Sequence, residues 1–213
     1  MRRIYSCTLL FSCIAIAPGL APAADYPDGF FINGGIGSAR VDELPNDLSP
    51  SYERFDDESG AYYLNAGYHW GWFGVEAGYF DPSRFQTTQT IVFAPPYPNE
   101  SFVVNGHVHG FTLGANAHYD LLPQWYVSGR AGLYHWHGSE QSFSGFNDIG
   151  TGLPIIVNNS ATKTDWYAGA GFGYDFSPHF GMGVEYDYYR AASPGEVINL
   201  TTRVWSLNAE YRF

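Results

Sequence analysis

Residues 165–189 read DWYAGAGFGYDFSPHFGMGVEYDYY, and this stretch decides the fold. Trp166, Ala168, Ala170, Phe172, Tyr174 and Phe176 alternate with Asp165, Tyr167, Gly169, Gly171, Gly173 and Asp175. Ser177-Pro178-His179 then turns the chain into Phe180, Met182, Val184, Tyr186 and Tyr188, which alternate with Gly181, Gly183, Glu185, Asp187 and Tyr189. A period of two is the mark of a strand, because successive side chains leave a pleated backbone on opposite faces. One phase here is apolar and aromatic. The other is glycine, tyrosine and carboxylate.

The same pattern extends outward from this hairpin in both directions. Phe30, Ile32, Gly34 and Ile36 form the greasier phase of the first run, and Tyr62, Leu64, Ala66, Tyr68 and Trp70 that of the next. Two residues, Gly71-Trp72, separate Trp70 from Phe73, Val75, Ala77 and Tyr79, which predicts a tight hairpin with Trp70 opposite Phe73. Phe111 to Tyr119 and Trp125 to Leu133 repeat the hairpin around Leu122-Pro123-Gln124. The last run ends on Trp205, Leu207, Ala209, Tyr211 and Phe213. The reading gives about eight strands, with short connections at 71–72, 122–124 and 177–179 and long ones at about 41–58, 84–103, 138–163 and 190–201. Strict segregation of short and long connections is the habit of an antiparallel up-and-down barrel crossing an outer membrane, with tight periplasmic turns and long extracellular loops.

Desolvation decides which phase meets lipid. Glu76, Arg130, Asp165, Glu185 and Asp187 all lie on the glycine-rich phase. A basic group turned to hydrocarbon near the midplane costs about 2–4 kcal/mol, so that phase must point inward. Trp70, Phe73, Tyr119, Trp125, Phe176, Phe180, Tyr211 and Phe213 then gather at the short-turn end, while Tyr62, Tyr79, Phe111, Trp166, Tyr188 and Trp205 gather at the other, as two interfacial girdles. Hairpin arithmetic sets Glu76 opposite Gly67, Glu185 opposite Gly171, Asp187 opposite Gly169 and Arg130 opposite Asn116, with Phe176 opposite Phe180. It leads to the expectation that Arg130 neutralises Glu76 and Glu185 across a narrow lumen, with Asp187 in the same interior network. A barrel of this size is filled by its own side chains.

Composition removes other classes. The chain has 213 residues, 10 basic against 21 acidic, and a net charge of -11, so no basic stripe exists for nucleic acid. Aromatic residues at 18% exclude disorder. Arg2-Arg3, the apolar run Ile4 to Ala17, Pro18-Gly19 and then Ala21-Pro22-Ala23 predict a secretory signal peptide over 1–23, with a barrel domain over 24–213. Cys7 and Cys13 both fall in the removed piece, so the exported chain would carry no thiol. Losing Arg2 and Arg3 leaves 8 basic and 21 acidic residues, a mature charge of -13. The competing reading, a lipoprotein cleavage before Cys13, would strand an apolar stub.

The segment Ala168 to Phe180 with Glu185-Tyr186-Asp187, and the ending Ser206 to Phe213, resemble OmpA-like transmembrane domains, a superfamily of small outer-membrane barrels that also holds OmpX-like and opacity-type proteins. The resemblance implies export through the Sec route to the outer membrane of a Gram-negative bacterium. It also implies that Trp205, Leu207, Ala209, Tyr211 and Phe213 serve as a signal for the barrel assembly machinery. The chain stops at Phe213, so the cell-wall anchoring of full-length OmpA does not carry over.

His107, His109, His135 and His137 are the constellation that invites a site. In the predicted register His109 faces His137, and Phe111 faces His135, all outward at the upper rim. Such histidines can hold a transition metal, contact lipopolysaccharide phosphates when protonated, or serve as amphipathic interfacial rings. His137 with Ser139 and Glu140 could mimic the His/Ser pair of a lipid A-modifying barrel enzyme, since a spacing of two puts His137 and Ser139 on one strand face, but nothing else in the chain fits a motif of those enzymes. The acidic run Asp42, Glu43, Asp47, Glu53, Asp56, Asp57 and Glu58 has no calcium-loop spacing. The loops around Phe93-Pro98 and Phe143-Ile156 are apolar enough to plug the mouth or grip host or neighbouring surface molecules. The expectation is a structural or surface-interaction barrel without cofactor or catalysis, in contact with outer-membrane lipid and lipopolysaccharide. A narrow channel for small solutes is the alternative.

Overall fold

The computed structural model describes residues 28–43, 58–82, 84–91, 100–147, 154–192 and 199–213. The signal peptide, most of the acidic run and the loop Phe93-Pro98 lie outside the described residues. Nine antiparallel strands follow in chain order: β1 (Gly29–Glu43), β2 (Glu58–Trp70), β3 (Phe73–Asp81), β4 (Arg84–Ile91), β5 (Glu100–Leu122), β6 (Trp125–Asn147), β7 (Pro154–Ser177), β8 (Phe180–Ala192) and β9 (Asn199–Arg212).

Eight of them close a barrel. β1 pairs with both β2 and β9, and the circuit is completed where β3 pairs with the lower half of β5. β4 continues the path of β3 and pairs with the upper half of β5, from Arg84 opposite His107 to Ile91 opposite Glu100. Closure leaves the eight barrel strands no open edge at membrane depth, which lipid demands because it offers no hydrogen-bond partner to a bare backbone.

The face assignment follows the alternation. Phe30, Ile36, Leu64, Phe111, Leu113, Leu133 and Leu207 are exposed on the outside, and Phe111 is 66% accessible. Their neighbours in sequence turn inward, where Glu76, Arg130, Glu185 and Asp187 are buried. Trp70, Phe73, Trp125, Phe176 and Phe213 are exposed at the short-turn end, and Tyr62, Phe111, Trp166 and Trp205 toward the other. Gly71 adopts a φ of 59°, the left-handed conformation that lets two residues join β2 to β3.

Two expectations are corrected. The segments 84–103 and 138–163 are not long loops: β4, β5, β6 and β7 run through most of them, and pairing of β6 with β7 reaches Asn147 opposite Pro154. Above the membrane the outward phase no longer has to be apolar, so the hydropathy alternation fades while the backbone ladder continues. The β7–β8 hairpin also carries a register shift between Asp175 and Ser177, so Ser177, not Phe176, stands opposite Phe180. The rings of Phe176 and Phe180 still lie 5.9 Å apart.

Candidate functional site

The lumen is built from strand positions whose outer neighbours face lipid. Arg130 on β6 donates from Nε to Asp187 Oδ1 at 2.8 Å and from Nη2 to Asp187 Oδ2 at 2.6 Å, a two-point pair. Its Nη2 lies 3.5 Å from Glu185 Oε2 and 3.3 Å from the Tyr189 hydroxyl, and its Cζ sits 4.1 Å from the centroid of the Tyr63 ring. The Tyr63 hydroxyl donates to Glu185. Glycine makes the room: a Cβ on Gly171 would lie 2.8 Å from Glu185 Cγ, and one on Gly169 would overlap the Asp187 carboxylate.

Glu76 departs from the expected network. Its Oε2 accepts from Asn116 Nδ2 and its Oε1 from the Tyr167 hydroxyl, each at 2.9 Å, so neutral donors hold it while Asp187 takes the guanidinium. The reason is reach. Through Gly169 the transverse row of Arg130 arrives at Asp187 itself, whereas through Asn116 on the other side it arrives at Gly74, two residues from Glu76.

Toward the outer end the lumen is closed by rings. Phe80 stacks on Tyr189 at 3.7 Å between centroids, and Tyr134 and Tyr167 flank Tyr189 at 5.3 and 5.5 Å. Trp136 is wholly buried beside them. Toward the short-turn end the filling is ionic. His118 Nε2 lies 3.1 Å from Asp120 Oδ1 and 3.3 Å from Asp175 Oδ2, and Arg212 Nη2 lies 2.9 Å from Asp175 Oδ1. The ligand atoms of His118, Asp120 and Asp175 lie within 4.8 Å of one another and could hold a cation, although Arg212 already supplies Asp175 with positive charge.

The four histidines stand on the outward face. His109 is opposite His137 and Phe111 opposite His135. The His107 and His109 rings lie 4.6 Å apart, and those of His109 and His137 5.7 Å. Three are hydrogen-bonded locally: His107 Nε2 lies 2.9 Å from Asp81 Oδ1, His135 Nδ1 2.8 Å from Thr164 Oγ1 and His137 Nδ1 2.8 Å from Thr162 Oγ1, while the His109 ring lies 6.1 Å from that of Tyr79. Among the described residues the quartet does not bring three ligand atoms together as the His118 group does. His137 leans on Thr162 rather than on a carboxylate, so the contact that would orient a base for Ser139 is a hydroxyl.

A charged interior within an apolar, girdled exterior is the architecture of an outer-membrane strand barrel, and sequence comparison agrees. Residues 7–213 match the outer membrane protein beta-barrel domain. The chain belongs to that family. No curated protein matches it. Among solved structures the fold is similar to Ail, the attachment invasion locus protein of Yersinia pestis, solved with the heparin analogue sucrose octasulfate (18% identity, 87% of this chain and 99% of that one, TM-score 0.50). It is similar as well to Neisserial surface protein A (14%, 87% and 97%, TM-score 0.50) and to the outer membrane protease OmpT of Escherichia coli (12%, 90% and 99%, TM-score 0.53). At these identities the likeness is one of fold, and that fold carries an attachment protein as well as a protease. As a family member the protein is an outer-membrane barrel.

Sequence reasoning overlooked the residues above the histidines. Gln86, Asn105, Gln141 and Asn158 line a cavity on the outward face together with Arg84, His107, Ser139 and Ser160. The signal was present. Each pair is spaced by two, in phase with the lipid-facing residues below, but all of them except Asn105 and His107 fell in segments read as loops.

Proposed function

We propose that this barrel is a non-catalytic surface protein that acts through a ribbon of strands standing above the membrane, binding molecules at the cell surface and stabilising the envelope. The observation that carries the reading is the extension of β4, β5, β6 and β7 past the last β3–β5 pair, Phe80 opposite Gly110. A strand needs only about 9–11 residues to cross, and β5, β6 and β7 have 23, 23 and 24. The surplus is paired sheet, a rigid base for recognition. The Yersinia attachment protein, which has this fold, was solved with a heparin analogue, and that favours surface glycans as a ligand class.

The solute-channel alternative receives less support, because the Phe80–Tyr189 stack and the Arg130–Asp187 pair occupy the lumen. Among the described residues an enzyme reading finds no nucleophile beside a base oriented by a carboxylate, His137 being held by Thr162. Export by residues 1–23 and recognition of Trp205, Leu207, Ala209, Tyr211 and Phe213 by the assembly machinery belong to the same proposal. The test replaces residues 82–108 and 138–161 by short turns, which removes the ribbon, then compares attachment of expressing cells to immobilised glycans. The expected outcome is a heat-modifiable, membrane-inserted barrel whose cells attach less and which gives no conductance steps in planar bilayers. Equal attachment by the two forms contradicts the reading.

A further inference from the structure

The outward face of the ribbon changes chemistry with height while keeping its period. Going up β5, Leu113 and Phe111 give way to His109, His107 and Asn105; up β6, Leu133 gives way to His135, His137, Ser139 and Gln141. Up β7, Trp166 is followed by Thr164, Thr162, Ser160 and Asn158, and β4 adds Arg84 and Gln86. The strand registers gather these into two transverse rows. Arg84, His107, Ser139 and Ser160 form the lower row. Gln86, Asn105, Gln141 and Asn158 form the upper one.

Together they line an outward cavity of about 730 Å³, a size suited to a small organic ligand. The upper row is four carboxamides. Each offers donors and an acceptor on one planar group, and the two hydroxyls below offer the same on one atom. Sugar hydroxyls are likewise donor and acceptor at once, so this inventory matches a saccharide better than it matches a protein, which would want aromatic or aliphatic anchors. Arg84 and Glu140 are the charged residues of the lining. Glu140, between Ser139 and Gln141, has the inward phase of β6, so a single arginine charges the outward face, and the trough is poorly matched to a polysulfated chain.

Position names the source. The trough continues the surface that, lower down, exposes Phe111 and Leu113 to lipid. Phe111 and His107 are four residues apart, about 13 Å along a strand at roughly 3.3 Å per residue. It therefore opens sideways over the outer-leaflet headgroups and not into the lumen. We propose that the trough binds the sugar headgroup of an outer-leaflet glycolipid, the core saccharide of lipopolysaccharide, with Arg84 and His107 toward its phosphorylated inner end and the four carboxamides on neutral ring hydroxyls. The inference rests on the ribbon standing outside the membrane and gives the surface-binding reading a ligand within the cell's own envelope.

The test uses the mature chain refolded in detergent micelles, titrated by calorimetry with core oligosaccharide freed of lipid A. Gln141→Ala/Asn158→Ala should weaken binding at least tenfold while heat-modifiable mobility is retained, and Gln124→Ala at a periplasmic turn should leave binding unchanged. If the double variant does not fold, Arg84→Ala on the edge strand β4 carries the same expectation of a several-fold loss. Three results overturn the proposal: wild type fails to bind the oligosaccharide, the trough variants bind as wild type does, or a sulfated oligosaccharide binds more tightly at the same residues. Each leaves the broader surface-binding reading intact, since that reading fails only when removing the ribbon leaves attachment unaltered.

Discussion

Replacing Asp187 by Ala removes the two carboxylate oxygens that accept from a buried guanidinium and leaves Arg130 with the Tyr189 hydroxyl at 3.3 Å and Glu185 at 3.5 Å. Stranding a buried charge costs about 3–5 kcal/mol, so Asp187→Ala should unfold in detergent at clearly lower urea than wild type, and Arg130→Glu lower still. Glu76→Gln should cost only about 1 kcal/mol, because the Tyr167 hydroxyl can donate to an amide oxygen and Asn116 can turn its carboxamide. Equal losses for the two acids would mean that Glu76 shares the guanidinium after all. That these acids face inward was legible from their phase. Which acid receives Arg130 was not, because pairing arithmetic fixes backbone neighbours while a long side chain chooses among carboxylates several strands away.

At the scale of elements, the hairpins at 71–72 and 122–124 were legible because turn residues interrupt an unbroken alternation, and the pairs Gly67–Glu76, Asn116–Arg130 and His109–His137 stand where the sequence arithmetic puts them. The ribbon was not legible. Once the outward face of a strand meets water, the hydropathy alternation that marked it fades, and only the ladder of β4, β5, β6 and β7 remains. Hydrogen exchange checks the difference: amides of Asn105 to His109 and Trp136 to Glu140 should exchange as slowly as those of the barrel wall, whereas a loop would exchange at once. The close approach of β7 to β8 gives a second expectation. Gly169→Ala sets a methyl against the Asp187 carboxylate and should destabilise the barrel by about 1–3 kcal/mol, read from its urea midpoint.

For the whole molecule, closure depends on the last strand finding the first. β9 pairs with β1 from Phe31 opposite Arg212 to Glu43 opposite Leu200, and the Phe213 amide donates to the Phe30 carbonyl at 2.9 Å. Removing Phe213 takes away one such bond and an exposed ring, a small change to the finished barrel. If Phe213 is read during assembly, its deletion should lower the inserted fraction in cells several-fold while the chain still refolds in detergent; undiminished insertion would reduce it to a lipid-facing side chain. The central claim is a sided cylinder whose outward face passes from lipid to water between Phe111 and His107. Single cysteines placed in the mature chain along β5 from Asn105 to Tyr119, spin-labelled in bilayers, test it most directly. The account predicts that labels at 111, 113, 115 and 117 collide with dissolved oxygen, that labels at 105 and 107 collide with a water-soluble nickel chelate, and that even positions are shielded from both. Loss of the two-residue alternation, or oxygen-accessible labels at 112, 114 and 116, would contradict it.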